Sequence, residues 1–468
     1  MSKISVSVNN FPSLFKLRQP MTIPDYQRPY VWGKEKSEEL LIDLEEFFLK
    51  DRNVSSYYMG SILLYRNKEE ETLEIIDGQQ RITTLLLMKY QLDQNLDLKH
   101  NLKFNSHLSF KSIRETKAFF ETQADMLQKL AKENFFNHLE FTIIITTTED
   151  EAFTFFDTQN NRGIKLSATD FLKAYHLRAV NSENLQEISA KHWENAQSNN
   201  KTGTFMDFMF DEILWRARNW RGNKSRLYDN KDKQIKETFQ KDTLQWHEED
   251  SYPVYSNFSN KRIEKISWNA SGTSSAIEAK EQTKNPVNFP FSIRQPIYKG
   301  INFFKYTEKY IAVYETLFVS KNSSIEINKL RDFTNEVYND DMSEYLRHFI
   351  QLCLVFYFDN FGENRIYEAV LCFDFALGSI RLSKQQVKRE APYKFLNENT
   401  INLFDLISGS FLPDEVFNYI YHNQFIQEIY SNEDIEDNIG VQGRYKHRIK
   451  NYFGKKDKKL SFRKEWKI

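Results

Sequence analysis

The spacing of hydrophobic residues changes along the chain. In the first 150 residues, the apolar runs YYMGSILLYR, LEII and FTIIITT predict strands, and they alternate with helical spacing in SEELLIDLEEFFLK and QQRITTLLLMKY. From about residue 166 the spacing is almost wholly helical, as in EYLRHFIQLCLVFYF and IYEAVLCFDFALGSIRL. The pattern therefore predicts an α+β protein, in which a mixed α/β part precedes a mainly helical one.

These changes of pattern also predict domains. We expect an α/β domain at 1–165, a helical domain at 166–443 and a strongly basic tail at 444–468. Between 223 and 288 the apolar periodicity fades into Asn, Lys, Ser, Gln and Glu, which predicts a flexible excursion within the helical domain. A length of 468 residues agrees with two or three domains, because one hydrophobic core seldom serves so long a chain.

Composition narrows the class of protein. With 40% hydrophobic and 28% charged residues the chain should be globular, and a formal net charge of -1 gives no overall attraction to nucleic acid. The first residues lack an apolar signal core and no run of about 18 apolar residues occurs, so we expect a cytoplasmic protein without a membrane partner. Cys353 and Cys372 are expected to be small buried hydrophobes.

The stretch EIIDGQQRITTL suggests a site at the start of a helix. If LEII is a strand and the helix begins near Gln79, the first unpaired N–H groups of the helix can cradle an anion, and Gly78 lets a phosphate come close. Arg81 adds a planar, charged fork, and the hydroxyls of Thr83 and Thr84 lie within the first two turns. These residues predict phosphate binding.

Asp77 indicates which kind of anion-binding site this would be. Its carboxylate would repel a phosphate unless a divalent ion lay between them or the group acted as an acid or base, so a Mg²⁺-dependent nucleotide site with Asp77 as the metal contact is more plausible than a simple anion pocket. The alternative is structural. Asp-Gly is also a common hairpin turn, and Arg81 could simply pair with a nearby glutamate.

A second polar and aromatic cluster precedes this stretch, in IPDYQRPYVW. Tyr30 and Trp32 could stack on a base, Arg28 could reach a phosphate, and Gln27 lies beside it. The commoner role of such aromatics is to cover the core, but packing alone hardly explains a second Gln-Arg pair so near the first.

Together, IPDYQRPYVW and IIDGQQRITTL resemble the N-terminal domain of the GmrSD-type restriction family, whose fold is similar to ParB and sulfiredoxin. The resemblance implies a bacterial anti-phage defence protein that binds and hydrolyses a nucleoside triphosphate. It also implies roles for specific residues. Asp77, Gly78, Gln79, Gln80 and Arg81 would bind phosphate and support hydrolysis, with Gln27 and Arg28 alongside.

The resemblance extends to FDTQNNRGIKLSATDFLK, in which Asn160, Gly163, Asp170 and Lys173 occupy characteristic positions. Together with Lys165, these residues could support the nucleotide site, or the segment could be only a helix connector capped by Ser167.

Fused members of the family end in an HNH nuclease domain, but His422 and His447 lack its sequence context and are expected to be surface or capping residues. If DNA is cut, we expect a separate HNH-type nuclease subunit to cut it.

Two basic clusters could contact foreign DNA. The residues are Arg216, Arg218 and Arg221 in WRARNWRGNKSR, and Arg444, Lys446, Arg448 and Lys450 at the start of the basic tail. The alternative for both is a solvated charged surface.

The sequence thus predicts a nucleoside triphosphatase of a restriction system in which Asp77, Gln80 and Arg81 are catalytic. Two alternatives remain. One is a non-catalytic DNA-binding or regulatory subunit that uses nucleotide as a switch, and the other is a DNA nickase that uses the ParB-like domain.

Overall fold

A computed structural model describes most of the chain. The described residues are 4–24, 26–50, 56–93, 102–104, 106–148, 151–152, 167–180, 182–198, 205–227, 230–241, 243–244, 263–269, 272–277, 285–320, 324–338, 342–432 and 435–466.

The chain forms two compact units, Met1–Ser198 (unit 1) and Asn199–Ile468 (unit 2). The division lies beyond the boundary expected at 165/166, because the helix that SATDFLKAYHL predicted and the one after it belong to unit 1. The expected order of a mixed α/β part followed by helices is confirmed, so the protein is α+β.

Unit 1 contains five strands and eight helices among its described residues. The strands are β1 (Ser5–Asn10), β2 (Met21–Thr22), β3 (Tyr57–Asn67), β4 (Thr72–Asp77) and β5 (Leu139–Thr146). The helices are α1 (Phe11–Leu14), α2 (Lys34–Glu45, continued by a π turn over Glu46–Lys50), α3 (Gln79–Asp93), α4 (His107–Thr122), α5 (Ala124–Lys132), α6 (Phe135–His138), α7 (Ala168–Leu177) and α8 (Glu183–Ser198).

The five strands form one mixed sheet in the order β1-β5-β3-β4-β2. The β1/β5 and β3/β4 pairs are antiparallel, whereas β3/β5 and β2/β4 are parallel. The predicted strands YYMGSILLYR, LEII and FTIIITT therefore lie side by side in the centre. The register of β3 against β5 shifts between Tyr58 and Ser61, and this bulge precedes Leu63, which pairs with Asp77 of β4.

One face of the sheet carries the main core of unit 1. Ile62, Leu64 and Ile75 from the strands are buried with Leu85 and Met88 of α3. Because α3 follows β4 through a single residue, burial of its apolar face fixes the position of the polar residues in its first turn.

Unit 2 is mainly helical. Its helices are α9 (Phe205–Phe208, continued by a π segment over Met209–Trp215), α10 (Arg216–Asn219), α11 (Lys231–Lys236), α12 (Ile301–Phe318), α13 (Ile325–Tyr338), α14 (Glu344–Phe361), α15 (Ile366–Ser383), α16 (Ala391–Glu398), α17 (Leu403–Gly409), α18 (Pro413–Tyr421), α19 (Gln424–Ser431) and α20 (Gly440–Tyr452). The short strands are β6 (Thr243–Leu244), β7 (Ile263–Asn269), β8 (Gly272–Ile277) and β9 (Ile297–Tyr298), and 3-10 turns cover Pro286–Asn288 and Leu460–Glu465.

Helix α15 is the centre of unit 2. Nearly all of its residues are buried, as expected for a helix that is apolar on every side, and Cys372 lies on it. Gly378 has a specific reason to be glycine, because a Cβ there would lie 2.0 Å from the hydroxyl of Tyr445 and 2.2 Å from that of Tyr430. Cys353 on α14 and Cys372 are both buried free thiols, which confirms that prediction.

The excursion expected at 223–288 is partly regular. Strands β7 and β8 pair antiparallel, with Asn269 opposite Gly272, in a region that includes part of SGTSSAIEAKEQTKNP. A ladder of backbone hydrogen bonds needs no continuous apolar pattern, so hydrophobic periodicity did not reveal it. Among the described residues, no helix is both long enough and apolar enough to cross a membrane.

Candidate functional site

The predicted site lies where β4 passes into α3. Gly78 joins the two elements with a φ of 99°, and the first bond of α3 runs from the N–H of Ile82 to the carbonyl of Gly78. The preceding N–H groups have no intrahelical acceptor, as the prediction required. The role predicted for Gly78 needs correction, because its missing side chain makes room for Ile62, whose Cγ1 would lie 3.0 Å from a Cβ, and not for a phosphate.

Gln80 joins the two predicted motifs directly. Its Oε1 accepts hydrogen bonds from the N–H groups of Val31 (2.9 Å) and Trp32 (3.2 Å), and its Nε2 donates to the carbonyl of Pro29 (3.0 Å). Sequence reasoning placed Gln80 among the catalytic residues. Because both lone pairs of its amide oxygen are used by the backbone, we assign it instead to holding the PYVW segment against α3.

The aromatic residues of that segment serve the core. Tyr30 is buried, and its hydroxyl lies 2.8 Å from Oγ1 of Thr84 and 3.3 Å from that of Thr116. Burial raises the pKa of Tyr30 above its ordinary value, despite these hydrogen bonds. Trp32 is partly buried against the main core. The predictions that Tyr30 and Thr84 bind nucleotide are therefore wrong, because each side chain is enclosed and paired with the other.

Arg81 lies over the bulge of β3. Its guanidinium donates to the carbonyls of Met59 (2.7 Å) and Ser61 (2.7 Å), and it contacts Oδ2 of Asp77 at 3.3 Å. The guanidinium fits there because Gly60, at a φ of 98°, has no side chain. The side chain of Arg81 is 21% exposed and that of Asp77 is 29% exposed. The fork predicted for phosphate is thus largely occupied, and Arg81 holds Asp77 and the bulge in place.

Two other residues of α3 have buried polar atoms without partners. Gln79 is 4% exposed and Thr83 is 3% exposed, yet neither Oε1 of Gln79 nor Oγ1 of Thr83 has a hydrogen-bond partner. The two residues are one helical turn apart, on the same side of α3. Other buried polar atoms of the described residues, such as Nε1 of Trp32, also lack partners, so this pair is a candidate ligand contact because it lies at the start of α3.

Arg28 lies beside this helix. The preceding residue, Gln27, donates from Nε2 to the carbonyl of Ile76 (2.6 Å), and Pro29 accepts from Gln80. Arg28 is therefore held between two anchored neighbours, next to the junction of β4 and α3. Within the described part of the chain, its half-exposed guanidinium makes no hydrogen bond or ion pair.

The residues do not fit a resident metal ion. Among the described residues, no group of three or more His, Cys, Asp or Glu is placed to hold one, and Asp77 already contacts Arg81. Mg²⁺ commonly uses one or two protein carboxylates together with the phosphates of a substrate. Asp77 could therefore contact Mg²⁺ only as part of a bound metal–nucleotide substrate.

The block downstream is only partly described. Asn160, Gly163 and Lys165 lie outside the described residues. Asp170 belongs to the capped start of α7, where its N–H donates to Oγ of Ser167 at 3.1 Å, as the capping prediction states. Lys173 is almost fully buried and pairs with Glu194 of α8 at 2.9 Å. We therefore assign Lys173 to joining two helices, and not to supporting a nucleotide.

Unit 1 has a large polar cavity that the sequence did not predict. It has a volume of about 1030 Å³, lies in unit 1 and is lined by Tyr26, Tyr65, Glu74 and Arg178 among others, but by no residue of the DGQQR stretch. Its walls come from segments far apart in sequence, and charged residues of both signs line it. Pro24 and Tyr26 of the IPDYQRPYVW stretch contribute to its lining, but local spacing does not show which distant segments complete it.

Two of the arginines predicted to contact DNA are structural. Arg216 is 2% exposed, pairs with Glu212 and lies 4.9 Å from the ring centre of Trp220. The DNA contact predicted for Arg216 is wrong, because a buried, paired guanidinium cannot reach a phosphate.

The guanidinium of Arg218 also has partners within unit 2, since it donates to the carbonyls of Ile293 (3.2 Å) and Gln295 (2.7 Å). Its predicted DNA contact is therefore also unsupported. Arg221 is exposed, and for this residue the DNA contact stays a prediction.

The expected basic tail is a folded part of unit 2. Arg444, Lys446, Arg448 and Lys450 lie half-buried on α20, and the 3-10 turn that follows buries Leu460. Three of these four side chains donate to backbone carbonyls. The bonds run from Lys446 to Ile435 (2.6 Å), from Arg448 to Glu336 (3.2 Å) and from Lys450 to Lys456 (3.0 Å). Their first role is to fix the chain around α20.

The two histidines lie in ordinary surroundings. His422 caps α18, with Nδ1 2.8 Å from the carbonyl of Asn418, and Nδ1 of His447 lies 3.6 Å from Asp437. Both contacts are typical of surface and capping residues, as expected.

Two known families match separate parts of the chain. Residues 11–177 match the GmrSD restriction endonuclease N-terminal domain. Residues 185–437 match a family described as Family of unknown function (DUF7834), which is not an HNH domain. A search of curated proteins finds no match. The chain therefore belongs to the family of unknown function DUF7834, and it carries a GmrSD restriction endonuclease N-terminal domain in unit 1.

Proposed function

We propose that this protein acts in the restriction of foreign DNA and that unit 1 binds and hydrolyses a nucleoside triphosphate at the start of α3. The observation that carries the proposal is the pair of buried, unpartnered polar atoms on Gln79 and Thr83. The match of unit 1 to a restriction endonuclease N-terminal domain supports the setting in which it would work.

The unpartnered atoms support a ligand on energetic grounds. A buried polar atom without a partner costs about 1–3 kcal/mol, and a ligand that satisfies the Gln79 amide and the Thr83 hydroxyl would recover that free energy. The N–H groups at the start of α3 favour an anionic ligand, and Arg28 is a nearby cation without a side-chain partner in the described part of the chain. A nucleotide has both parts, namely anionic phosphates and neutral donors and acceptors.

Hydrolysis would use Asp77 and Arg28 beside these groups. Water attacks the terminal phosphorus, the bond between that phosphorus and its bridging oxygen breaks, and a nucleoside diphosphate and inorganic phosphate leave. Asp77 would orient the water or accept its proton, and Arg28 would offset charge in the transition state. Arg81 would act by holding Asp77, with which it is paired. Mg²⁺ would enter with the phosphates of the substrate.

Phosphate release from each common nucleoside triphosphate in the presence of Mg²⁺ tests this proposal. We expect turnover by the wild type and a loss of roughly 10²-fold or more for Arg28→Gln, Gln79→Leu and Asp77→Asn. Arg18→Gln is the matched control, because Arg18 is an exposed arginine of the same unit. Turnover by folded Arg28→Gln and Gln79→Leu at the wild-type rate would refute the proposed site.

A regulatory role without turnover is the second candidate. The occupied guanidinium of Arg81 favours it, because Arg81 is not available to bind phosphate unless it leaves two carbonyls. Nucleotide would then bind and act as a switch. Nucleotide binding by the wild type that depends on Gln79, without phosphate release, would identify this function. The described residues give no support to a nickase, which would need a cluster of metal ligands.

If foreign DNA is cut, we propose that a separate nuclease subunit of the HNH type cuts it, because the family match over unit 2 is not an HNH domain. The similarity to the ParB and sulfiredoxin fold stays a prediction. Co-purification of this chain with the product of a neighbouring nuclease gene, followed by a plasmid cleavage assay, would test the partner.

A further inference from the structure

We propose that residues 440–466 of unit 2, the basic segment, form a docking surface for DNA, in which lysines contact phosphates and Phe462 stacks on an unpaired base. The inference deepens the proposed function and rests on it for the choice of DNA as the polyanion. Its geometry lies wholly within unit 2 and does not depend on nucleotide hydrolysis.

The charge of the chain is concentrated here. Between Arg444 and Trp466 the sequence has ten Lys and Arg residues against two acidic ones, Asp457 and Glu465. Because the whole chain has a formal net charge of -1, the residues before this segment are net acidic. A local positive surface on an otherwise acidic protein would direct a polyanion to one place.

The lysines after α20 are available for a ligand. Lys456, Lys458 and Lys464 are exposed, and among the described residues none of them forms an ion pair. By contrast, three of the four cations on α20 donate to backbone carbonyls, and His447 of the same helix contacts Asp437. The phosphate contacts are therefore assigned to the turn and the 3-10 helix that follow α20, and not to α20 as the sequence suggested.

The surface is preformed. Arg463 is buried and pairs with Asp374 at 2.7 Å, and its guanidinium lies 4.4 Å from the ring centre of Phe453. Trp466 packs on the same ring at 5.9 Å. These anchors hold the segment between them against the core of unit 2. A fixed array of charges loses less conformational entropy on binding than a disordered tail would.

Phe462 gives the surface a second kind of contact. It lies on the 3-10 helix between the anchored residues Leu460 and Arg463, yet it is 50% exposed. An exposed aromatic ring among lysines is the arrangement that binds single strands, because any base can stack on it. Bases in a duplex already stack on each other, so we expect single-stranded DNA to bind more tightly than duplex DNA.

Fluorescence anisotropy in the absence of nucleotide tests the inference, with a labelled single strand and its duplex over a range of salt concentrations. The test variant is Lys456→Gln, Lys458→Gln, Lys464→Gln. The matched control, Lys111→Gln, Lys191→Gln, Lys394→Gln, removes the same charge from exposed lysines elsewhere. The association constant K for a single strand falls as salt is added. We expect the test variant to make the slope of log K against log salt concentration less steep by about 0.7 for each lysine that no longer binds a phosphate. The control should leave the slope unchanged.

Phe462→Leu separates stacking from charge. We expect it to weaken single-strand binding by roughly 5- to 150-fold with little effect on the duplex, while the salt dependence stays the same. An equal loss of DNA affinity in the test and control triple variants, or no loss of affinity in either, would overturn the docking surface. Tighter binding of an RNA strand of the same sequence would overturn the choice of DNA. Because no nucleotide is present, a negative result leaves the phosphate-release assay to decide the proposed function separately.

Discussion

The guanidinium of Arg81 occupies the space that a side chain on Gly60 would fill: a Cβ on Gly60 would lie 2.2 Å from Nη1 of Arg81. Gly60 lies in the bulge of β3, and Arg81 lies in the first turn of α3. The relationship explains how a strand irregularity and a motif about twenty residues later form one unit of structure. Each residue is needed for the position of the other.

The first prediction follows from this contact. Gly60→Ala should destabilise unit 1 by about 2–4 kcal/mol, because alanine is strained at a φ of 98° and displaced Arg81 would leave two carbonyls without donors. Gly33→Ala is the control in the same unit, where a Cβ meets only the flexible carboxylate of Glu115. Denaturant unfolding measures both. Equal effects of the two substitutions would show that the contact with Arg81 contributes nothing.

The second prediction contrasts adjacent glutamines. Gln80→Leu should destabilise unit 1 by about 1–3 kcal/mol in total, because three partly buried backbone groups lose their partner. Gln79→Leu should change stability by less than about 1 kcal/mol, or stabilise the fold, because its Oε1 has no partner to lose.

Nucleotide binding, measured by calorimetry, should be lost in Gln79→Leu even though that variant is stable. A strongly destabilised Gln79→Leu would mean that this side chain serves the fold instead of a ligand.

The third prediction concerns pH and Glu212 of unit 2. Burial alone would raise the pKa of this carboxyl, but its hydrogen bond to His348 (3.1 Å) and the adjacent Arg216 outweigh burial, so the pKa lies below its ordinary value of 4.5. A carboxyl with a lowered pKa stabilises the fold above that ordinary value, and the stabilisation disappears as the pH falls through the lowered pKa.

The free energy of unfolding of Glu212→Gln should therefore fall below that of the wild type at about pH 7, and the difference should shrink steadily below about pH 4.5. Glu363→Gln, at an exposed carboxyl of the same unit, serves as the control. A difference for Glu212→Gln that does not change with pH would exclude an ionised Glu212 as its source.

The fourth prediction concerns the ion pair between Asp374 and Arg463. Arg463→Met should destabilise unit 2 by about 3–5 kcal/mol, because it leaves the buried Asp374 carboxylate without its cation. Adding Asp374→Asn should restore part of that loss, since the uncompensated charge is then removed. Arg221→Met, at an exposed arginine, should have little effect on thermal unfolding. No recovery in the double variant would argue against an ionised Asp374.

Local pattern predicted much of unit 1. Strand-forming runs gave β3, β4 and β5, and the helix start at Gln79 followed from the polar turn before an apolar face. Strand β1 was not recognised, because its residues Ser5 to Val8 are exposed and no buried face marks it. The convergence of YQRPYVW with DGQQR was also predicted, and the hydrogen bonds of Gln80 show it.

The sequence by itself determined which residue types meet at the candidate site, because a strand, a glycine turn and an amphipathic helix bring them together within a few residues. Only the tertiary structure decided which of those polar groups are already used. Gln80, Arg81 and Tyr30 have hydrogen-bond partners that lie 20 to 86 residues away, whereas no such partner is present for Oε1 of Gln79 or for the Arg28 side chain among the described residues. Local spacing cannot distinguish these cases, since whether a hydrogen-bonding group is satisfied depends on distant segments that folding brings to it.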